Sequence, residues 1–387
     1  MKILLLTKKP PYPSKDGEAV AIANIIDGLL AQGHDISLLY MNTIKFSTDE
    51  SVCKTKGINA SAVFVNTNIS LLGAFKNLFS NQSYNIERFI SSDYAKQLEE
   101  ILIAEKFDII QLETLYLMPY IKTIRQFSKA KIVLRTHNIE SQIWERLAEN
   151  EKIGIKKWYL RLLAKRLRKY EESIINQYDA LVPITNNDLK WYQQKGNNKP
   201  VYVLPIAVNP KAYKVHKLNK EKMTCYFLGS LDWQPNLEGL QWYLNNVQAL
   251  SDVELYIAGR NKTTFLKESD NVYIVGEVDS AIDFMNKHPI MIVPLFAGSG
   301  MRVKIIEAMA LGKIVISTSI GAEGIEYIDG ENLLIANDGK AFIAKINQVM
   351  ADKKLFETIS KNARKLIEEK YNSTQSINKL LAFYKSI

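Results

Sequence analysis

The residues best suited to chemistry lie in one stretch, Phe296-Ala297-Gly298-Ser299-Gly300-Met301-Arg302-Val303-Lys304-Ile305-Ile306-Glu307-Ala308-Met309-Ala310-Leu311-Gly312. It follows an apolar run ending at Pro294. Gly298 and Gly300 permit a tight turn, and the pattern predicts a helix from about Met301 to a terminal glycine at Gly312. A helix start exposes N–H groups and the positive end of the helix dipole, so acidic residues are the ordinary occupants of a first turn. Here the first turn holds Arg302 and Lys304. Two cations there are unfavourable by about 0.3–1 kcal/mol each unless an anion reverses the sign, and a diphosphate would do so. The alternative sends both side chains into water, with Lys304 paired to Glu307 at i,i+3. Glu307 lies on a mostly apolar stretch where a carboxylate needs partners; ribose hydroxyls would serve, and so would a lone pair with Lys304. Neither a dinucleotide fingerprint, which needs glycine at Val303, nor a phosphate loop ending in Gly-Lys-Ser/Thr fits the spacing.

Such a loop needs strands and helices to hold it. Ile3–Leu6, Ile36–Leu39, Ile109–Leu112, Ile132–Leu134 and Ala180–Val182 read as strands apolar on both faces, hence buried in a parallel sheet. The pattern restarts after a Pro-punctuated, Lys-rich linker at 205–222, with strands at Cys225–Leu228, Glu254–Ala258, Val272–Val275, Met291–Pro294 and Ile314–Ile316. Helical stretches alternate with each set. The fold class is therefore α/β, two doubly wound Rossmann-like domains at 1–205 and 206–371, with ligands expected in a cleft outside the strands' carboxyl ends.

Composition narrows the function. The chain has 387 residues, 50 Lys+Arg against 41 Asp+Glu, and only two cysteines and four histidines. A disulfide framework and a structural zinc site are both excluded as readings. No run approaches the roughly 18 apolar residues of a membrane span, and the N-terminus lacks a secretory apolar core, so a cytosolic protein is expected. Of the net charge of +9, +7 falls in residues 1–205, and 152–169 alone carries eight basic residues and no acidic one. So local a concentration argues against nucleic-acid binding. In that segment Leu160, Leu163, Leu167, Tyr170 and Ile174 form a core stripe, while Lys157, Arg161, Lys165 and Arg168 line another face. That face is either simply solvated or, with Trp158 and Tyr159, touches anionic lipid at about 1 kcal/mol per cation.

The stretch from Gly298 to Gly312, followed by Ser319-Ile320-Gly321-Ala322-Glu323-Gly324, resembles the donor-binding region of glycosyltransferase family 4, the retaining family with the GT-B fold. Phe227-Leu228-Gly229-Ser230-Leu231-Asp232-Trp233-Gln234-Pro235-Asn236 is similar to the loop after the first strand of that family's second domain. Thr136-His137-Asn138-Ile139-Glu140 is similar to the His-bearing loop of its first domain. The chain start, with Pro11, Pro13 and Gly17, then Leu29 to Ile36, is similar to the family's first strand, loop and helix. The resemblance spans nearly the whole chain in motif order.

It implies transfer of a sugar, with retention, from a UDP-, GDP- or ADP-sugar to a hydroxyl of a growing or lipid-linked cell-surface glycan. No metal or other cofactor is implied. The departing phosphate oxygen takes the acceptor's proton, so no dedicated base is needed. Gly298, Ser299, Gly300, Met301, Glu307, Gly17, Ser230 and Asn236 would bind the donor, with the base held around Val275, Gly276 and Glu277. His137 would contact a sugar hydroxyl or the oxyanion; the plain alternative is a strand-end histidine satisfied by backbone. A last helix at about 372–387 would return to the first domain. The departures are specific. Ser299 stands where the family often has a first glutamate, and Ser230 and Asn236 replace the usual Arg and Lys, which leaves the diphosphate to Arg302 and Lys304. Gly17-Glu18 replaces Gly-Gly and would bring a negative charge toward the phosphates. Two rivals are a nucleotide-sugar epimerase on the same fold and a non-catalytic sugar-binding protein.

Overall fold

Short runs of Ile, Val and Leu that pack on both faces build two parallel sheets, one in each of two units, Met1–Pro205 with Thr374–Ile387, and Ile206–Ser373. The computed structural model describes residues 1–14, 16–215, 223–261, 266–298 and 300–387. Residues 216–222 of the Lys-rich linker and Ser299 therefore lie outside the described residues.

The first sheet comprises β1 (Lys2–Thr7), β2 (Asp35–Asn42), β3 (Asn59–Phe64), β4 (Ile109–Glu113), β5 (Lys131–Thr136) and β6 (Ala180–Pro183), in the order β3-β2-β1-β4-β5-β6. The second comprises β7 (Cys225–Leu228), β8 (Leu255–Ala258), β9 (Val272–Gly276), β10 (Ile290–Val293), β11 (Ile314–Ser317) and β12 (Leu334–Ile335), in the order β12-β11-β10-β7-β8-β9. Both are fully parallel. Counted within its own unit, each sheet runs 3-2-1-4-5-6, so the strand order reverses once, between β1 and β4 and between β7 and β10. A doubly wound sheet opens its crevice at that reversal, beyond the strands' carboxyl ends. The edge strands β3 and β12 are the two the sequence pattern misses. β3 (NASAVF) mixes polar and small residues, and β12 has two residues.

Along β1, Leu4 and Leu6 face one core while Ile3 and Leu5 face the other, which explains the unbroken apolar run. The last helix, Ser373–Ser386, puts Ile377, Leu380, Leu381 and Tyr384 into the same core as Ile3, Leu5 and Ile22. The basic segment forms the helix Gly154–Ser173, which buries Leu163, Ala164, Leu167 and Glu171. Leu160 and Tyr170 are only half-buried. Its opposite face is not uniformly solvated: Lys157 donates to the Glu149 carbonyl at 3.1 Å, and Arg168 pairs with Glu145, whereas Trp158, Arg161 and Lys165 are exposed. Among the described residues no helix is long and apolar enough to cross a membrane.

Candidate active site

In the second unit the reversal point lies between the ends of β7 and β10, and the glycine loop leaves from the latter. Gly298 and Gly300 have φ of +107° and +79°, conformations that L side chains avoid. At Gly298 a Cβ would also stand 2.7 Å from Arg302 Nη2 and 3.0 Å from the Trp233 ring, so only glycine lets these three meet. The helix begins at Val303 rather than Met301. Met301 is buried, and Arg302, with extended backbone (φ −91°, ψ 100°), is the residue before the first turn. Its Nη1 donates to the Gly300 carbonyl at 2.7 Å, and its guanidinium carbon lies 5.8 Å from the centre of the Trp233 ring. Thus the cation is folded over the loop. The helix ends at Ala310 with Leu311 as its C-cap, and Gly312, at φ +67°, turns the chain into β11.

Lys304 pairs with Glu307 at 2.8 Å, the plain alternative left open by the sequence, and the Tyr213 hydroxyl donates to the same carboxylate at 3.0 Å. Tyr213 is positioned by Arg364, which donates to the carbonyls of Tyr213 (2.7 Å) and Pro210 (2.9 Å). Ser230 donates its hydroxyl to Asp232, and the Asn236 amide donates to the Ser230 carbonyl at 2.8 Å, so both side chains shape the loop after β7. That loop leads into the helix Gln234–Asn246, where a Cβ on Gly239 would come within 2.0 Å of the Pro294 carbonyl oxygen. Glycine is therefore what brings this helix against the approach to the Gly298 loop. Val275 and Glu277 are exposed on either side of Gly276, at the end of β9.

In the first unit the ends of β1, β4 and β5 carry a buried charged cluster that the sequence reading missed apart from His137. Register pairing sets Glu113 beside Arg135 on one side and Thr7 on the other. Arg135 (1% exposed) donates to Glu113 (0%) at 3.0 Å, and the His137 ring Nε2 lies 2.7 Å from the same carboxylate oxygen. Burial works against the Glu113 charge, but Arg135 and the hydrogen bonds from His137 and Gln111 outweigh it and hold the carboxyl below the usual range. Gln111 is held in turn by the Tyr384 hydroxyl of the last helix. A signal was present: Glu113 ends β4 and Arg135 is the next-to-last residue of β5, each a charge on a largely apolar strand, where it must have a partner.

Gly17 opens the helix Gly17–Leu30, capped by Asp16, which also receives Lys9 at 2.7 Å. Glu18 meets Lys9 at 3.2 Å and Lys8 at 3.4 Å. Burial alone would raise its carboxyl; Lys8, Lys9 and His137 instead hold it down to about 2. Glu18 is thus a fixed anion neutralised within its own unit. Next to Glu113, Thr114 has φ +92°, strain that a β-branched residue keeps only where its surroundings enforce it, here with its N–H bonded to the Arg135 carbonyl at 2.9 Å. Two buried oxygens beside this cluster, Glu18 Oε1 and Thr114 Oγ1, have no hydrogen-bond partner within the protein. Among the described residues no group of His, Cys, Asp and Glu is arranged to hold a metal ion.

The loop carrying His137 is anchored from behind. The helix Glu140–Asn150 has Ile139 at its N-cap, which cannot cap it. Glu171, fully buried, does so from the basic helix, accepting from Glu140 N (3.0 Å), Ser141 N (3.1 Å) and Ser141 Oγ (2.6 Å). Burial outweighs these bonds and raises the Glu171 carboxyl to about 7 from 4.5. The folded protein therefore keeps a proton that the unfolded chain loses above pH 4.5. Its contribution to stability is full below that pH and is lost as pH rises to about 7, by on the order of 3 kcal/mol. Relative to the parent, Glu171→Gln should gain unfolding free energy between pH 5 and pH 7.5 in urea titrations; a difference that stays flat with pH would refute the assignment.

Two Rossmann-like units with matching reversal points, one carrying a glycine loop and two cations, make this a GT-B protein. Residues 222–352, within the second unit, match the family model described as Glycosyl transferases group 1. Over 390 residues the chain is 28% identical to an uncharacterized 44.6 kDa protein in the cps region of Klebsiella pneumoniae, covering 96% of this chain and 97% of that one. It is also 28% identical, over 172 residues, to the capsular polysaccharide biosynthesis glycosyltransferase CapM of Staphylococcus aureus, covering 41% and 45% of the two chains. The structure of Anabaena HepE in complex with UDP superposes with a TM-score of 0.70 over the whole of both chains at 14% identity.

Proposed function

We propose that the chain is a retaining glycosyltransferase of family 4, moving a hexose from a nucleoside diphosphate sugar to a hydroxyl of a growing or lipid-linked capsular or other cell-surface glycan. The observation that carries this reading is the loop from Gly298 to Arg302 at the reversal point of the second sheet. Its glycines bring backbone close, and its helix start gathers Arg302 and Lys304 where an acidic residue would be ordinary. The relatives' association with capsule biosynthesis supports the acceptor class, and the UDP complex of HepE supports UDP among the candidate nucleotides.

In this reading Lys304 exchanges Glu307 for a donor phosphate, which frees the carboxylate for the ribose hydroxyls. Arg302 and Lys304 stabilise the charge that develops on the departing diphosphate, so the reaction runs without a metal. The departing oxygen accepts the acceptor's proton, and His137, steadied by Glu113, contacts a sugar hydroxyl or the oxyanion. Gly17, Ser230, Asn236, Val275 and Glu277 shape the donor site chiefly through backbone. The enzyme works at the inner face of the membrane, as a lipid-linked acceptor requires. Thermal unfolding with UDP, GDP and ADP tests the donor assignment. One diphosphate should raise the melting temperature, UDP most strongly, because a ligand that binds only the folded state stabilises it. No shift with any of the three would end this reading.

A further inference from the structure

The first unit exposes an apolar ridge. The helix Leu71–Leu78 presents Leu72 and Phe75 to solvent, flanked by Ile69 and Phe79, at 70%, 61%, 67% and 82% exposure. Phe75 and Phe79 meet edge-on at 5.5 Å, so the ridge is continuous. Isolated exposed apolar residues are ordinary, but several large ones on one short helix mark a contact surface. The ridge is also fixed in place. Arg166 of the basic helix Gly154–Ser173 donates to the Asn77 side chain at 2.8 Å and to the carbonyls of Asn77 (2.7 Å) and Leu78 (3.1 Å). The Tyr84 hydroxyl binds both backbone groups of Ser70 at the other end.

The neighbouring basic helix is exposed as well. Ile153, Ile155 and Trp158 at its start are exposed. From Trp158, the exposed residues Arg161, Lys165 and Lys169 follow at steps of three, four and four, which aligns them on one helix face. Lys76 is exposed on the ridge helix itself. The apolar ridge and the cation stripe thus lie on two neighbouring helices joined through Arg166.

We propose that this face docks on an anionic lipid bilayer, Leu72, Phe75, Phe79 and Trp158 entering the interface while Arg161, Lys165 and Lys169 lie over the headgroups. Aliphatic and aromatic side chains flanked by cations, with tryptophan between them, are what a charged interface binds. A nucleic acid would leave the aliphatic ridge unused. A second copy would set cation stripe against cation stripe, which like-charge repulsion opposes. The biological purpose rests on the lipid-linked acceptor proposed above; the docking itself is measured without donor or acceptor.

The full chain should co-sediment with vesicles of phosphatidylcholine mixed with phosphatidylglycerol, and not with phosphatidylcholine alone. Leu72→Ser, Phe75→Ser and Phe79→Ser combined should weaken binding by about tenfold or more at low salt. Arg161→Ser, Lys165→Ser and Lys169→Ser combined should weaken it comparably and remove most of its salt dependence. Every one of these side chains is exposed, so both variants should keep the parent's melting temperature and its shift with UDP. Failure of the parent to bind anionic vesicles, equal binding by the ridge variant, or self-association through the ridge in place of vesicle binding would overturn the proposal. A UDP shift without vesicle binding rejects the docking face alone, whereas vesicle binding without any nucleotide shift rejects the donor reading alone.

Discussion

Arg302→Ala is expected to lower kcat/KM by about 30- to 900-fold, corresponding to a loss of about 2–4 kcal/mol of transition-state stabilisation. The guanidinium is tied to the Gly300 carbonyl and lies over Trp233, so its charge is pre-positioned over the loop. A group fixed in this way loses little on reorganising as charge develops on the leaving diphosphate. The loss should appear mainly in kcat, because an interaction that strengthens in the transition state affects turnover more than ground-state binding. The melting temperature should change little, since Arg302 precedes the helix and makes none of its i→i−4 bonds through its side chain. Steady-state kinetics with the matching donor, beside a thermal melt, checks both points. Turnover equal to the parent's would remove Arg302 from the chemistry and leave Lys304 as the cation to examine.

The glycine loop was legible in the sequence because its parts are local: a strand end, two glycines and a helix start fall within a dozen residues. The interior strands were legible for a related reason, since a strand apolar on both faces, such as Leu4–Leu6 in β1, can only sit inside a covered parallel sheet. β3 and β12 lie at the edges, with one neighbour each, and need less apolar character. The helix start moved by two residues: Met301 is buried, and Arg302 has an extended backbone with its side chain on the Gly300 carbonyl. His137 could be singled out from its loop, and Glu113 and Arg135 stand out as charges on apolar strands, but the pairing of those two could not be read. They are 22 residues apart and meet only through the register of β4 on β5, which no local pattern encodes. Glu171 escaped notice likewise, hidden in a helix that reads as basic and lying 30 residues from the N–H of Ser141 that it caps.

Arg135→Leu is expected to cost about 3–5 kcal/mol of stability, because it leaves the Glu113 carboxylate fully buried without its cation. His137 and Gln111 would remain as hydrogen-bond partners, but neither supplies the permanent charge that holds Glu113 ionised. Combining Arg135→Leu with Glu113→Leu should recover most of that loss, since a buried ion pair replaced by apolar residues of similar bulk is often close to neutral. Activity should not recover with it. In the parent, Glu113 fixes the orientation of the His137 ring through a 2.7 Å contact and is itself braced by Gln111 and Tyr384. Without the carboxylate the ring loses that anchor, so the double variant should fold nearly as well as the parent and turn over more slowly. Urea denaturation and kinetics on the same three proteins separate the two effects. A double variant with both parental stability and parental kcat would make the cluster a purely structural ion pair and take His137 out of the proposed site.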